Sequence, residues 1–226
     1  MYVLHYAPDN ASMIIRLVLE GAGLPYELSL VDRRIRAQDS PAYLALNPAG
    51  LIPTLETPFG PISETGAILL WLADRHGVAP KPEDPQRPAL LRWLFFTSNT
   101  VHADLRQLFY PDQYVPSHAD AAHHALLSAR VIRHFTLLDT IAQKDDSLFQ
   151  TDGILAPYLC ALMRWSVLYP KGQTPWFTIS AYPALARMAQ AMETTPQAVR
   201  VALAEGLGAQ PFTKPLPARP PEGHVT

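Results

Sequence analysis

Three short stretches hold residue types whose spacing could do chemistry. Ser63-Glu64-Thr65 stands directly before the apolar run Gly66 to Leu72. If that run is a helix, its free N–H groups and the positive end of its dipole make a place for a carboxylate; a plain helix cap is the other reading. Ile52-Pro53 opens a strand-like run, a position where a cis peptide is tolerated. A cis bond would turn the N–H and C=O of Ile52 outward, free to pair with an extended peptide, whereas the alternative is an ordinary proline turn. The third stretch, Tyr6-Ala7-Pro8-Asp9-Asn10-Ala11-Ser12, leads from a strand into a helix. Taken alone, Ser12 reads as an N-cap and Tyr6 as a core residue with a tethered hydroxyl.

Other chemistry-bearing residues are less specific. Arg33, Arg34 and Arg36 follow a strand and read equally as a solvated charge run. His102 is a lone histidine in a helical pattern. His118, Asp120, His123 and His124 match no defined zinc spacing, so no metal is expected. Cys160 lies mid-helix among Leu159, Ala161, Leu162 and Met163 and reads as a packing thiol. No glycine loop that would cradle a phosphate is present.

The elements that must position these residues fall into two regimes. Val3–Tyr6 reads as a strand, and Met13, Ile14, Leu17, Val18 and Gly21 follow helical spacing. Tyr26–Val31 is a second strand. Ser40-Pro41 opens a short helix that ends before Asn47-Pro48. Ile52–Glu56 and Phe59–Ile62 read as two strands around Thr57-Pro58, and Ser63–His76 as a helix stopped by Gly77. The order is β-α-β-α-β-β-α. Pro80, Pro82, Pro85 and Pro88 then interrupt the chain, as neither a helix nor a central strand continues through such a run. Beyond them every periodic segment is helical: Arg87–Tyr110, Ala119–Gln143, Asp152–Tyr169, Tyr182–Glu193 and Pro196–Glu205. Five further prolines from Pro211 to Pro221 make the tail an extended or loosely ordered strap.

Composition excludes several classes of function. The chain has 226 residues, 48% hydrophobic and 17% charged, enough to bury a core. Its 18 Lys and Arg against 20 Asp and Glu leave a net charge of −2, which gives no electrostatic case for nucleic acid or an anionic membrane. A single cysteine excludes an internal disulfide. The N-terminus shows no basic stretch followed by an apolar run, so a cytoplasmic location is expected.

Asn47 to Gly77, NPAGLIPTLETPFGPISETGAILLWLADRHG, taken with this order of elements, resembles the glutathione transferase superfamily. The resemblance extends over roughly Tyr2 to Gly206. It implies a thioredoxin-like α/β unit over residues 1–78 and a proline-rich linker over 79–88. An all-helical unit with a second-substrate pocket and the tail would occupy 89–226. It also implies glutathione as co-substrate. Ile52, before Pro53, would pair with the cysteinyl backbone. Glu64 would take the γ-glutamyl ammonium and Thr65, where the family usually has Ser, its carboxylate. Arg33 or Arg36 would reach the glycyl carboxylate, and His102 matches a histidine on the helix that faces the site.

Thiol activation by resemblance leaves three candidates. Ser12 stands where several classes place a catalytic serine, Tyr6 matches the catalytic tyrosine of others, and Asn10 is the third. The segment aligns best with bacterial beta-class enzymes, whose cysteine position is Ala11 here, so no mixed disulfide forms there. Tyr110, Tyr114 and Trp165 are candidates to line the second-substrate pocket. Asp152 matches the aspartate of a buried capping box whose usual Ser or Thr is replaced by Phe149. The implied activity is conjugation of the glutathione thiolate to an electrophilic apolar substrate by a homodimer with no nucleic-acid or membrane partner. Alternatives are another glutathione-dependent reaction (isomerisation, dehalogenation, ether cleavage) or a non-catalytic binding module.

Overall fold

The computed structural model describes residues 1–225. Its first part is a thioredoxin-like α/β layer. Strands β1 (Tyr2–Tyr6), β2 (Tyr26–Leu30), β3 (Thr54–Thr57) and β4 (Gly60–Ser63) form one sheet in the order β2-β1-β3-β4. β1 pairs parallel with β2, with Tyr6 opposite Leu30, while β3 runs antiparallel to β1 and β4. The parallel pair requires a crossover, which α1 (Ser12–Gly21) supplies. Met13, Ile14, Ile15, Leu17, Val18 and Leu19 of α1 are all buried. The short helix α2 (Pro41–Leu46) is capped by the Ser40 hydroxyl, which accepts from the Tyr43 N–H. Helix α3 (Thr65–His76) ends where Gly77 takes φ 68°, a conformation that lets its N–H reach the Ala73 carbonyl.

The remaining elements are helical: α4 (Arg87–Phe96), α5 (Ala103–Phe109), α6 (Asp120–Lys144), α7 (Leu155–Leu168), α8 (Pro183–Glu193) and α9 (Pro196–Glu205). The periodicity predicts one regular helix over 87–110. Instead, α4 and α5 are joined by a π-helical stretch, Thr97–His102, so a continuous helix is locally underwound at its middle. Every residue of α7 from Leu155 to Ser166 is buried, so this helix is the centre of the second half. Its start differs from the expected Asp152. Residues 150–153 form a turn in which the Gly153 N–H donates to the Gln150 carbonyl, and no side chain caps α7. The cap that does form joins two helices: Asp139 of α6 accepts from the N–H groups of Ala184 and Leu185 at the start of α8 (2.8 and 2.9 Å).

The tail is a held strap. Glu193 accepts from the N–H groups of Phe212 and Thr213, and from the Thr213 hydroxyl, which satisfies backbone that would otherwise be buried unpaired. The chain then crosses Gly206 so closely that a Cβ there would lie 2.0 Å from the Arg219 carbonyl oxygen. Among the described residues no helix is long and apolar enough to cross a membrane.

Candidate functional site

A cleft of about 480 Å³ opens between the sheet end that carries β1 and β3 and the helices α5 and α7. That volume suits a small-molecule ligand. One wall is the loop before β3. The Ile52–Pro53 bond is cis, and among the described residues the Ile52 N–H and C=O have no protein partner. Asn47 and Tyr43 brace this loop by donating to the Leu51 carbonyl, each at 2.7 Å.

The floor is the N-terminus of α3. Glu64 holds φ 69°, which for a non-glycine residue costs on the order of 1–3 kcal/mol and is maintained only where the surroundings impose it. Thr65 follows as the first helical residue, its N–H at the positive end of the dipole. The neighbouring π-helical stretch brings the Ser98 hydroxyl within 3.2 Å of where a Gly66 Cβ would sit, so the two elements pack closely at this glycine. Ser98 and His102, one above the other on that stretch, both face the cleft.

His102 is neutral around pH 7. Burial, with Arg106 nearby, pushes its imidazole down to about 4. Its Nδ1 lies 2.9 Å from the Tyr158 hydroxyl, and its ring meets that of Tyr158 edge-on. The far wall carries Phe109, Tyr110, Trp165 and Tyr169 together with Arg33 and Arg106. Arg33 donates to the Tyr110 hydroxyl (3.3 Å) and to the carbonyl of Val225, which brings the strap to the mouth of the cleft.

The loop into α1 is fixed from behind by a buried ion pair. Asp9 is wholly buried, at φ 48°, and accepts from Arg164 Nε (2.8 Å) and Nη2 (2.9 Å). Trp165 Nε1 donates to the same carboxylate at 2.9 Å. Behind the loop, Glu205 accepts from the Asp9 N–H, and burial pushes its carboxyl up to about 7. This clamp leaves Asn10 and Ala11 at the cleft. The Asn10 Oδ1 accepts from the Ala11 N–H at 2.8 Å, so its amide NH₂ is the group left to face a ligand.

Of the residues singled out in the sequence, Ile52, Pro53, Glu64, Thr65, Arg33, His102, Tyr110 and Trp165 line this cleft, as does Asn10. Four do not, and those expectations are corrected. Ser12 is wholly buried, and its hydroxyl turns back to the loop, donating to the Ala7 carbonyl at 3.0 Å and accepting from the Ala7 N–H at 3.2 Å. Tyr6 donates its hydroxyl to Glu222 of the strap, and burial together with that carboxylate pushes its pKa up. Arg36 sits at φ 52°, and this turn directs its guanidinium to Asp39 at the surface. Tyr114 is outside the cleft, where its hydroxyl accepts from Arg106 at 3.0 Å. Lining residues the sequence did not single out include Gln38, Ser98, Arg106, Phe109 and Tyr169. Gln38 borders the cleft with a buried Oε1 that has no partner among the described residues, a signal visible only in three dimensions.

Known proteins resemble this chain in sequence and in fold. The chain is 28% identical over 181 residues to glutathione S-transferase GST-4.5 of Xanthomonas campestris, covering 72% of this chain and 81% of that one. It is 38% identical over 103 residues to the disulfide-bond oxidoreductase YfcG of Escherichia coli, covering 42% of this chain and 48% of that one. Among solved structures, a sphingomonad glutathione S-transferase complexed with glutathione superposes with a TM-score of 0.73 at 25% identity. That match covers 91% of this chain and all of the other. Residues 11–75 match the family described as glutathione S-transferase, N-terminal domain, and the fold shared with the sphingomonad enzyme continues beyond them.

Proposed function

We propose that this protein binds glutathione in the cleft and transfers its thiolate to an electrophilic carbon of a second substrate. The observation that carries this reading is the meeting, in one cleft, of the unpaired Ile52 backbone and the exposed start of α3 at Glu64-Thr65. The first can pair with the main chain of an extended tripeptide, and the second can hold the charged amino-acid end. Glu64 takes the ammonium, and the Thr65 N–H and hydroxyl take the carboxylate. Gln38 and Arg33 stand at the end of the cleft suited to the glycyl carboxylate. Residues 1–78 supply the glutathione side, 89–226 supply the second-substrate side, and 79–88 link them. The resemblance extends the proposal to a homodimer in the cytoplasm, for which sedimentation should give twice the chain mass.

The thiol then lies over the loop into α1. A free thiol of pKa about 8.5 is largely protonated at neutral pH, and lowering it by two units needs about 2.7 kcal/mol. A hydrogen bond from the Asn10 amide to the thiolate contributes roughly 1.5–3 kcal/mol, and the N-terminus of α1 adds ~0.3–1 kcal/mol. Asn10 therefore replaces Ser12 and Tyr6 as the activating donor. The test is glutathione-dependent turnover across a panel of chloronitrobenzenes, alkyl halides and enones. Saturable turnover above the uncatalysed rate with any of them supports transfer, and none with the whole panel contradicts it.

A second reading is glutathione-dependent disulfide reduction. It is favoured by the similarity to YfcG and by the absence of cysteine from the cleft, since Cys160 is fully buried in α7. Without a protein thiol, one glutathione thiolate must attack the substrate disulfide and release one thiol. A second glutathione thiolate then attacks the resulting mixed disulfide at its glutathione sulfur, releasing the other thiol and leaving glutathione disulfide. Coupling to glutathione reductase with a model disulfide separates the two readings.

A further inference from the structure

The second-substrate wall departs from the apolar surface that the sequence suggests. Arg106, on α5, lines the cleft, with its guanidinium 5.5 Å from the centre of the Tyr110 ring. It is held by neutral acceptors only: its Nε donates to the Tyr114 hydroxyl (3.0 Å) and its Nη2 to the Gln113 amide oxygen (3.2 Å). Arg33 reaches the same side through the Tyr110 hydroxyl. Among the described residues, neither arginine has a carboxylate within ion-pairing distance, whereas Arg16, Arg87, Arg164 and Arg200 each meet one. The two acidic residues in the cleft do not neutralise Arg106, because Asp9 is engaged by Arg164 and Glu64 stands at the start of α3. A guanidinium fixed in direction, with donors left over and no counter-charge, is built to receive an anion. Phe109, Tyr169 and Trp165 beside it supply a flat apolar surface.

We propose that the second substrate is an electrophile with an apolar, preferably aromatic, body and a carboxylate, and that Arg106 binds the carboxylate. This rests on the glutathione reading for its reactive partner. With 4-chloro-3-nitrobenzoate as probe, the thiolate forms a C–S bond at the ring carbon bearing chlorine, and chloride leaves with the C–Cl electron pair. The thiol proton has already passed to solvent, so no oxidant or reductant is consumed.

The experiment compares 4-chloro-3-nitrobenzoate with its methyl ester, each enzymatic kcat/KM divided by the uncatalysed rate with glutathione at the same pH. The wild type should favour the acid by about tenfold or more. Arg106→Gln should lower kcat/KM for the acid by about 10- to 100-fold, the scale of one charge-assisted hydrogen bond, and should cost the ester far less. Arg106→Lys, which keeps the charge, should recover part of the loss. Equal losses for acid and ester, or an ester preference in the wild type, would overturn the proposal.

Calorimetry with the unreactive 3-nitrobenzoate gives a readout independent of turnover. Binding to the wild type that is lost in Arg106→Gln upholds the anion site even if glutathione gives no heat, in which case the glutathione reading alone fails. If glutathione binds but 3-nitrobenzoate binds neither protein, or binds both equally, the anion site fails and the glutathione reading stands.

Discussion

Replacing Asp9 by Asn removes one charge and almost no volume, so it isolates the buried ion pair that fixes the loop over the cleft. The backbone is not at issue, since Asn tolerates the left-handed conformation that Asp9 holds at φ 48°. Trp165 Nε1 can still donate to the remaining oxygen. Arg164, with no exposed side-chain surface, would keep the carbonyls of Pro211 and Leu216 and, through Nε, the neutral amide oxygen, but its Nη2 would face an amide NH₂ where it had a carboxylate oxygen, and its charge would be left uncompensated. Stranding a buried charge in this way costs about 3–5 kcal/mol. At roughly 2–4 °C per kcal/mol for a chain of this length, the melting temperature should fall by roughly 6–20 °C. Urea denaturation would give the free energy directly, and a thermal melt would check it. The double variant Asp9→Asn with Arg164→Met removes the stranded charge and should regain a large part of the loss. A single-variant cost below about 1 kcal/mol, or a double variant no more stable than the single one, would mean that Asp9 does not compensate a buried charge on Arg164.

Two further outcomes are expected. Asn10→Ala should raise the pKa of bound glutathione by roughly one to two units, read from thiolate ultraviolet absorbance against pH. Ser12→Ala should leave that titration in place and instead lower stability by roughly 1–2 kcal/mol, because it removes buried bonds to Ala7. The reverse pattern would return activation to Ser12. The His102 ring should remain neutral down to about pH 4 by NMR. Its folded pKa lies below the unfolded value of 6.5, so the stability it contributes is present above pH 6.5 and is lost as pH falls through 4. A midpoint near 6.5 would contradict its burial.

What was legible in the sequence was local. Ser40-Pro41 at the start of α2 and Gly77 at the end of α3 are signals contained within a few residues, and the structure uses each as a cap. Fold class followed from the change of periodicity across the proline run. Which side chains reach the cleft depended on partners remote in the chain. Tyr6 is drawn away by Glu222, 216 residues later, and the loop into α1 is set by Arg164, 155 residues later. Ser12 fails because its own loop folds back on it, and Arg36 because the turn at φ 52° points outward. The helical pattern over 87–110 was correct in kind, but no apolar period distinguishes a π-helical stretch from an α-helix. His102 was therefore placed at the cleft by resemblance alone, and Ser98 gave no sign of sharing it.

Glutathione binding by titration calorimetry tests the central claim most directly, measured for the wild type, Glu64→Ala and Arg36→Ala. Micromolar-to-millimolar binding to the wild type and clear weakening in Glu64→Ala are expected. Arg36→Ala should bind as the wild type does, because that guanidinium is held by Asp39 away from the cleft. No heat from the wild type and no competition by an S-alkyl glutathione would contradict the account, as would equal losses in the two variants.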